Sequence, residues 1–212
     1  MRHFSQKAII GCASLLLIQG CSNPAPVTAT PTNSDPKVAA KDKPKTVTPE
    51  MAARRLVKAT TDPDAASIDK NIFDTTVEEL ISHKGSGKLA ERSDKFEKTV
   101  WRLKATVESI ELKKDGDYYM VLRGSKGGQT VVEVPDPKTC KGSPFETEIT
   151  STRKALEDKF HPTPDKKDVN EEATITGIGF LGFSSNPTKK GSGGITGSRL
   201  MPGTDVTFGK SK

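Results

Sequence analysis

Residues 99–123, which read TVWRLKATVESIELKKDGDYYMVLR, carry the clearest strand pattern of the chain. Apolar and polar residues alternate over 101–107, as they do in a β-strand with one buried face. The apolar positions then move by one residue, to Ile110 and Leu112, which is typical of a β-bulge. An Asp-Gly pair at 115–116 favours a tight turn into a second strand. We therefore predict a long, bulged strand that enters a hairpin.

The segments after this hairpin predict three more strands and one helix. We place the strands at 130–134, 173–183 and 204–208, and the helix at 144–160. The chain order is then β-β-β-α-β-β, which is the order of the OB-fold, a small five-stranded Greek-key barrel. We predict a mainly β, α+β fold with an OB-fold-like five-stranded barrel over residues 97–212. An open α+β sheet is the alternative.

Two local patterns support this prediction. Ser143 and Glu146 can form a capping box around Pro144 at the start of the helix. The apolar face of the helix consists of Phe145, Ile149, Leu156 and Phe160. The strand at 173–183 has glycines at positions 177, 179 and 182, which indicates tight curvature or a close approach of another backbone.

Residues 49–96 predict a helical N-terminal extension. A helix over 49–59 begins with Thr48 as its N-cap and with proline at its first position. A second helix is expected over 77–84, with a capping box formed by one of two Thr–Glu pairs, 75 with 78 or 76 with 79. The pattern leaves open whether these helices pack on the domain or only precede it.

The first twenty residues have the pattern of a cleaved signal peptide. Arg2 and Lys7 precede an apolar stretch at 8–18 that is too short to span a bilayer. The sequence Ile18-Gln19-Gly20-Cys21 then resembles the lipobox of bacterial prolipoproteins, in which the cysteine receives the lipid. We therefore predict palmitate-type acylation of Cys21. The alternative is an ordinary secretory signal with a chance cysteine.

Residues 21–48 predict a disordered tether that follows the lipid. They are rich in proline, threonine and lysine and contain no aromatic residue, so they cannot bury enough surface to offset their ordering entropy. Ser22, rather than Asp, follows the cysteine, and this resembles lipoproteins of the outer membrane. We expect the protein in the cell envelope, bound to the outer membrane through Cys21 and facing the periplasm.

Cysteine and histidine usage argues against the common catalytic centres. Cys12 leaves with the signal peptide and Cys21 carries the lipid, so Cys140 has no disulfide partner in the mature chain. A buried Cys140 is expected, with a reactive thiol as the alternative. His83 and His161 are not spaced as metal ligands or triad members. We predict no catalytic residue, no metal and no cofactor.

The charge of the chain is mildly positive. The formal net charge is +6, and it becomes +4 once Arg2 and Lys7 leave with the signal peptide. This excess fits an anionic polymer, although a solvated surface explains it equally well. The main acidic concentration consists of Asp115, Asp117, Glu133 and Asp136. A nuclease of the same strand order could use such carboxylates to hold Ca²⁺, but turn formation explains the Asp-Gly-Asp sequence more simply.

The OB-fold interpretation also predicts where a ligand binds. OB-folds bind on the face of the second and third strands, between the first hairpin loop and the loop that joins the last two strands. In this sequence the cations of those loops are Lys113, Lys114, Lys189, Lys190 and Arg199. Tyr118 or Tyr119, whichever faces outward, could stack on a base or a sugar ring. Trp101 is expected in the core.

Parts of the chain resemble an uncharacterised family of exported bacterial domains with an OB-like fold. The motifs are Thr-Val-x-x-Leu at 76–80, DGDYYMVL at 115–122, EVPDP at 133–137 followed by Cys140, and GIGFL at 177–181. Family members often have a histidine where this chain has Tyr119, and His-Pro where it has Met201-Pro202. Any role of those histidines therefore does not carry over. The resemblance implies one compact domain and no assigned activity.

These observations favour a membrane-anchored envelope lipoprotein with a non-enzymatic binding domain. Its partner is expected to be another envelope protein or an anionic polymer. One alternative is a structural subunit of an envelope assembly. Another is a metal-dependent, nuclease-like hydrolase, which the lack of a convergent acid and base disfavours.

Overall fold

The structure, a computed structural model, describes residues 47–83, 91–92, 95–182 and 197–209. The predicted signal peptide, Cys21 and nearly all of the tether lie outside the described residues. Lys189 and Lys190, two of the candidate ligand-binding residues, also lie outside them. The predictions for these residues stay predictions.

The described residues form an α+β fold, as predicted. The helices are α1 (Pro49–Ala59), α2 (Val77–Ser82) and α3 (Glu146–Phe160). The strands are β1 (Asp69–Asp74), β2 (Thr99–Leu112), β3 (Tyr118–Arg123), β4 (Gln129–Val134), β5 (Lys167–Leu181) and β6 (Ser198–Phe208). Short 3₁₀ helices occupy Pro63–Ser67, Lys95–Lys98 and Pro137–Thr139.

The six strands form one mixed sheet in the order β1-β2-β3-β4-β6-β5, and β2 also pairs with β5. The strands from β2 to β6 therefore pair in a closed ring, with β1 added on the outside of β2. The pairings are antiparallel except for β1 with β2 and β4 with β6. The register of β2 shifts between Val107 and Ser109 against both β3 and β5, so the predicted bulge is confirmed.

The sheet has six strands rather than the predicted five because β1 was missed. Its sequence, DKNIFD, has no alternation of apolar and polar residues, and all six residues are exposed. A strand at the edge of a sheet buries little on either face, so its sequence lacks the pattern by which strands are found. Pairing with β2 through the backbone is what defines it.

Two strand boundaries and one helix start also differ from the predictions. β5 begins at Lys167, six residues early, and β6 begins at Ser198. α3 begins at Glu146 without a side-chain cap. The predicted capping box is wrong because the Ser143 hydroxyl accepts from the amide of Phe145, while the Glu146 carboxylate accepts from the amide of Gly142.

The N-terminal helices begin as predicted. The Thr48 hydroxyl accepts from the amide of Met51 at 3.2 Å and caps α1. Thr76 and Glu79 form the capping box of α2, which decides between the two pairs that the sequence allowed. The carboxylate of Glu78 is used elsewhere, since it accepts from the amides of Lys126 and Gly128 in the β3–β4 turn.

One apolar cluster joins the ring and the segments before it. The predicted apolar face of α3 lies in this cluster, and so do Val77 and Leu80 of α2. Phe96 and Ile68 also belong to it, while Trp101 packs against it. The helices therefore pack on the domain, and the boundary predicted between residues 96 and 97 does not separate two cores.

The glycines of β5 allow close backbone approach, as predicted. A Cβ atom at Gly179 would overlap the carbonyl oxygen of Phe96, and one at Gly177 would lie 2.8 Å from the carbonyl oxygen of Pro202. The carbonyl of Phe96 also accepts from the indole Nε1 of Trp101 at 3.1 Å. Any side chain at Gly179 would therefore push this aromatic corner away from the sheet.

We expect Leu80→Ala to destabilise the protein by about 2–5 kcal/mol, because it leaves a cavity in the shared core. Leu80 is fully buried, whereas Leu56 on α1 is 47% exposed. Leu56→Ala is therefore the matched control, expected within about 0.5 kcal/mol of the unmodified chain. Urea unfolding of residues 22–212 measures both changes. Equal decreases in the free energy of unfolding for the two variants would show that α2 is not part of the core.

Candidate ligand-binding face

Tyr118 and Tyr119 follow each other on β3 and point to opposite faces, as the predicted alternation requires. Tyr118 lies in the main core cluster. Its hydroxyl bonds to the carboxylate of Glu157, and the guanidinium of Arg153 stands 3.7 Å from its ring centroid. Tyr119 packs instead with Val131 and Val121 on the outer face of the closed sheet. Tyr119 is therefore the candidate for the predicted face.

The structure brings Lys113 and Arg199 to the neighbourhood of Tyr119. The ammonium group of Lys113 lies 4.1 Å from the centroid of the Tyr119 ring and bonds to the carboxylate of Glu111. Arg199 of β6 places Nη1 3.7 Å from Oε1 of Glu133, the residue paired with Tyr119 across the sheet. Two predicted cations thus adjoin the outward tyrosine, and each has a carboxylate beside it.

Lys114 and Tyr119 differ sharply in exposure. Lys114 is exposed in the β2–β3 turn. Tyr119 retains only 8% of its accessible surface, and this burial is the main reason that its pKa is raised. The ring beside Lys113 is therefore nearly buried and does not offer the open stacking platform that the sequence predicted.

A third cation on this face, Lys58, was missed by the sequence analysis. It lies in the last turn of α1, and its ammonium group is 2.6 Å from Asp117, 2.5 Å from Glu133 and 3.5 Å from Asp115. Burial alone would lower the pKa of Lys58, but the carboxylates of Glu133 and Asp117 outweigh it and raise the pKa above its ordinary value. The helix pattern gave no signal of this contact, because the partners are distant in sequence.

A buried polar network attaches α1 to the ring. The guanidinium of Arg54 bonds to the carboxylate of Glu97, donates to the carbonyl oxygen of Leu181 at 2.6 Å, and lies 4.0 Å from the centroid of the Phe180 ring. Glu97 also accepts from the amide of Leu181 at 2.8 Å. Because both charged side chains are buried, α1 is a fixed part of the fold.

The acidic residues of the nuclease alternative are bound to protein groups. Asp117 and Glu133 bind Lys58, and Asp117 also accepts from the amide of Asp136 at 2.9 Å. The Asp136 carboxylate accepts from the amide of Lys138 and so begins a 3₁₀ turn. Among the described residues, no group of three or more His, Cys, Asp or Glu is arranged to hold a metal ion.

The two histidines and the cysteine considered as catalytic candidates lie in places that give them no catalytic arrangement. His83 stacks on Phe96 with their ring centroids 4.4 Å apart, and His161 is exposed at the end of α3. Cys140 is fully buried, which confirms the expected burial. Burial also raises the pKa of the Cys140 thiol to about 11, so at neutral pH it is protonated and a poor nucleophile.

Comparison with known proteins adds no assignment. The chain matches none of the family models, curated proteins or solved structures with which it was compared. Within the described residues, no helix combines the length and apolar character needed to cross a membrane.

We expect Lys58→Met to lower the free energy of unfolding by about 3 kcal/mol at neutral pH, because it leaves the buried carboxylate of Asp117 without its nearest cation and Glu133 with only Arg199. The raised pKa fixes the pH dependence. The contribution of Lys58 is complete below its ordinary pKa of 10.5 and is lost as the pH rises through the higher pKa of the folded state. Urea unfolding at several pH values measures the difference between the variant and the unmodified chain.

Lys154→Met is the matched control for this substitution. Lys154 forms an exposed ion pair with Asp158 on α3, and such pairs contribute about 0–1 kcal/mol. A loss in Lys58→Met no larger than that in Lys154→Met would contradict a stabilising role for Lys58. A difference in the free energy of unfolding that does not begin to narrow above pH 10.5 would contradict the electrostatic explanation.

Proposed function

We propose that this chain is a lipid-anchored envelope protein whose folded part is a non-enzymatic binding module. The signal peptide and the lipobox ending at Cys21 support the anchor. The surroundings of the acidic residues and of Cys140 support binding over catalysis, since the former bind protein groups and the latter is a buried thiol. The resemblance to exported bacterial domains agrees with this location.

We further propose that the module is OB-like. The ring order β2-β3-β4-β6-β5, closed by β5 on β2, supports this proposal. So do the bulge in the long first strand of the ring and the position of α3 between β4 and β5. An OB-like barrel binds its ligands on the face that corresponds here to β3 and β4.

The observation that carries the ligand proposal is the meeting of Lys113 and Arg199 beside Tyr119 on this face. An anionic polymer would place its charges on the two cations, and the nearly buried ring of Tyr119 would hold the ammonium group of Lys113 in position for it. Glu111 and Glu133 hold the cations in position, but they also compete with the ligand. The binding should therefore be weak and sensitive to salt.

The test is fluorescence anisotropy of a labelled oligothymidylate with residues 22–212 at about 50 mM salt. Lys113→Ala combined with Lys114→Ala should weaken binding and reduce the magnitude of the slope of log K against log salt by about one to two. The reason is that the variant neutralises fewer phosphates, so fewer counterions are released on binding. Tyr119→Ala should also weaken binding, whereas Tyr118 faces the core.

The matched control is the double variant Lys154→Ala, Lys159→Ala, which removes the same charge from exposed positions on α3. If both double variants lose affinity equally, the polymer responds to net charge and not to this face. If the unmodified chain does not bind at low salt, the anionic-polymer proposal is wrong and a protein partner becomes the better one.

The anchor has its own test. Cys21→Ser should abolish incorporation of labelled palmitate and leave an uncleaved precursor, because the serine hydroxyl cannot form the thioether. The unmodified protein should fractionate with the outer membrane. Cys140→Ser is the control, since this thiol is buried and should not affect labelling. Labelling that persists in Cys21→Ser would contradict the lipoprotein proposal.

One observation favours a structural subunit as the second candidate. β1 lies at the edge of the sheet, and its Ile72 and Phe73 are 50% and 40% exposed. An edge strand with exposed apolar side chains can receive a strand from another chain. This function becomes the leading one if no anionic polymer binds.

A further inference from the structure

A groove lined by charged, hydroxyl and apolar groups crosses the outer side of β2 and reaches Arg123 at the end of β3, the strand that also carries Tyr119. It consists of two adjoining depressions that share Lys104, Ser125 and Thr174. One extends toward Asp74 at the end of β1, and the other extends toward Glu172 of β5. Along β2 the combined lining runs from Arg102 to Thr106, and it reaches across to β3 and β5.

Three cations, Arg102, Lys104 and Arg123, line this groove. Arg102 bonds to Asp74 through Nε at 2.7 Å and Nη2 at 2.9 Å. Arg123 donates from Nε to Glu108 at 2.7 Å. A guanidinium has five N–H donors in a fixed fork, so these bonds orient the group while using only part of its capacity. Lys104, between them on the surface, is exposed.

The remaining lining is unlike that of a nucleic-acid groove. Hydroxyl groups come from Thr106, Ser125 and Thr174, and carboxylates from Asp74 and Glu172. The carboxylates repel a ligand with a negative charge on every unit, but they accept hydrogen bonds from hydroxyl groups. No aromatic side chain is among the described residues that line the groove, so bases would find no surface on which to stack.

We propose that this groove binds an acidic oligosaccharide, with sugar carboxylates on Arg102, Lys104 and Arg123 and sugar hydroxyls on the threonine, serine and acidic side chains. The lining combines three cations with hydroxyls and carboxylates, which suits a polymer that carries fewer charges than a nucleic acid and many hydroxyl groups. This site is separate from the one formed by Lys113 and Arg199, and it goes beyond the proposed binding of a polyanion there.

The experiment uses a labelled hyaluronan octasaccharide, which has one carboxylate per two sugars, with residues 22–212 at about 50 mM salt. Lys104→Ala and Arg123→Ala should each lower affinity about tenfold, the effect of losing one charge-assisted hydrogen bond. Thr174→Val keeps the side-chain shape and should lower affinity about threefold, since it loses a neutral hydrogen bond. Thermal unfolding of each variant shows that it remains folded.

The control variants separate this site from the first one. Lys154→Ala and the double variant Lys113→Ala, Lys114→Ala should leave octasaccharide binding unchanged, because neither alters the groove. A neutral cello-oligosaccharide of the same length should bind at least tenfold more weakly, since it has no carboxylate for the cations. If the double variant Lys113→Ala, Lys114→Ala loses oligothymidylate binding, the result concerns only the face with Tyr119 and not this groove.

Three results would overturn the proposal. One is that the octasaccharide does not bind at low salt. Another is that Lys104→Ala and Arg123→Ala bind it as well as Lys154→Ala does. The third is that an oligothymidylate of equal length binds as tightly and loses affinity in Lys104→Ala, which would make the groove a nucleic-acid site.

Discussion

The bulge in β2 allows one strand to pair with three others. β2 pairs with β1 at its start, with β5 over most of its length, and with β3 after residue 105. Without the register shift at Glu108, strict alternation would turn Ile110 and Leu112 out of the face that holds Leu103 and Val107. The shift keeps the fully buried Ile110 in the core while the strand bends. One extra residue in β2 therefore keeps its core face continuous, and the β5–β6 pair of the same ring has register shifts of its own at Gly177.

The buried ion pairs explain why the N-terminal segment cannot be treated as an appendage. Arg92 bonds to Asp62 through Nε and Nη2 at 2.9 and 2.7 Å and donates to the carbonyl oxygen of Glu97 at 2.8 Å. Glu97 in turn binds Arg54. Buried charges are tolerated only when their partners are all present. Removing α1 would therefore leave Glu97 buried without its cation, in addition to exposing the apolar surface beneath.

The sequence predicted the features that depend on neighbouring residues. The Thr48 cap, the bulge in β2 and the turn at Gly116, which has a φ of +91°, all follow from local preferences. β1 was not predictable, because all six of its residues are exposed and its existence depends on backbone pairing with β2. The start of α3 was misjudged because two satisfactory hydrogen-bond arrangements for Ser143 and Glu146 compete there.

In the candidate site, too, the sequence predicted what neighbouring residues determine and not the contacts between distant ones. Strand alternation predicted that only one of Tyr118 and Tyr119 would face outward. Nothing in the sequence indicated that Lys58, some sixty to seventy-five residues earlier, would bind Asp117 and Glu133 on that face. Attraction between charges that are distant in the chain leaves no periodic pattern. The charge balance of the face could be assigned only once the positions of α1 and β3 were known.

The solvent exposure of an ion pair determines how easily a charged ligand can replace one of its two side chains. Side-chain exposure is 28% for Lys113 and 23% for Glu111, but 43% for Arg102 and 73% for Asp74. An exposed ion pair contributes about 0–1 kcal/mol, so a ligand carboxylate can join or replace Asp74 at small cost. Separating Lys113 from Glu111 leaves a mostly buried carboxylate without its cation and costs more. A polymer at the Tyr119 face must therefore recover that cost through several simultaneous contacts, whereas a single sugar carboxylate is enough to engage Arg102.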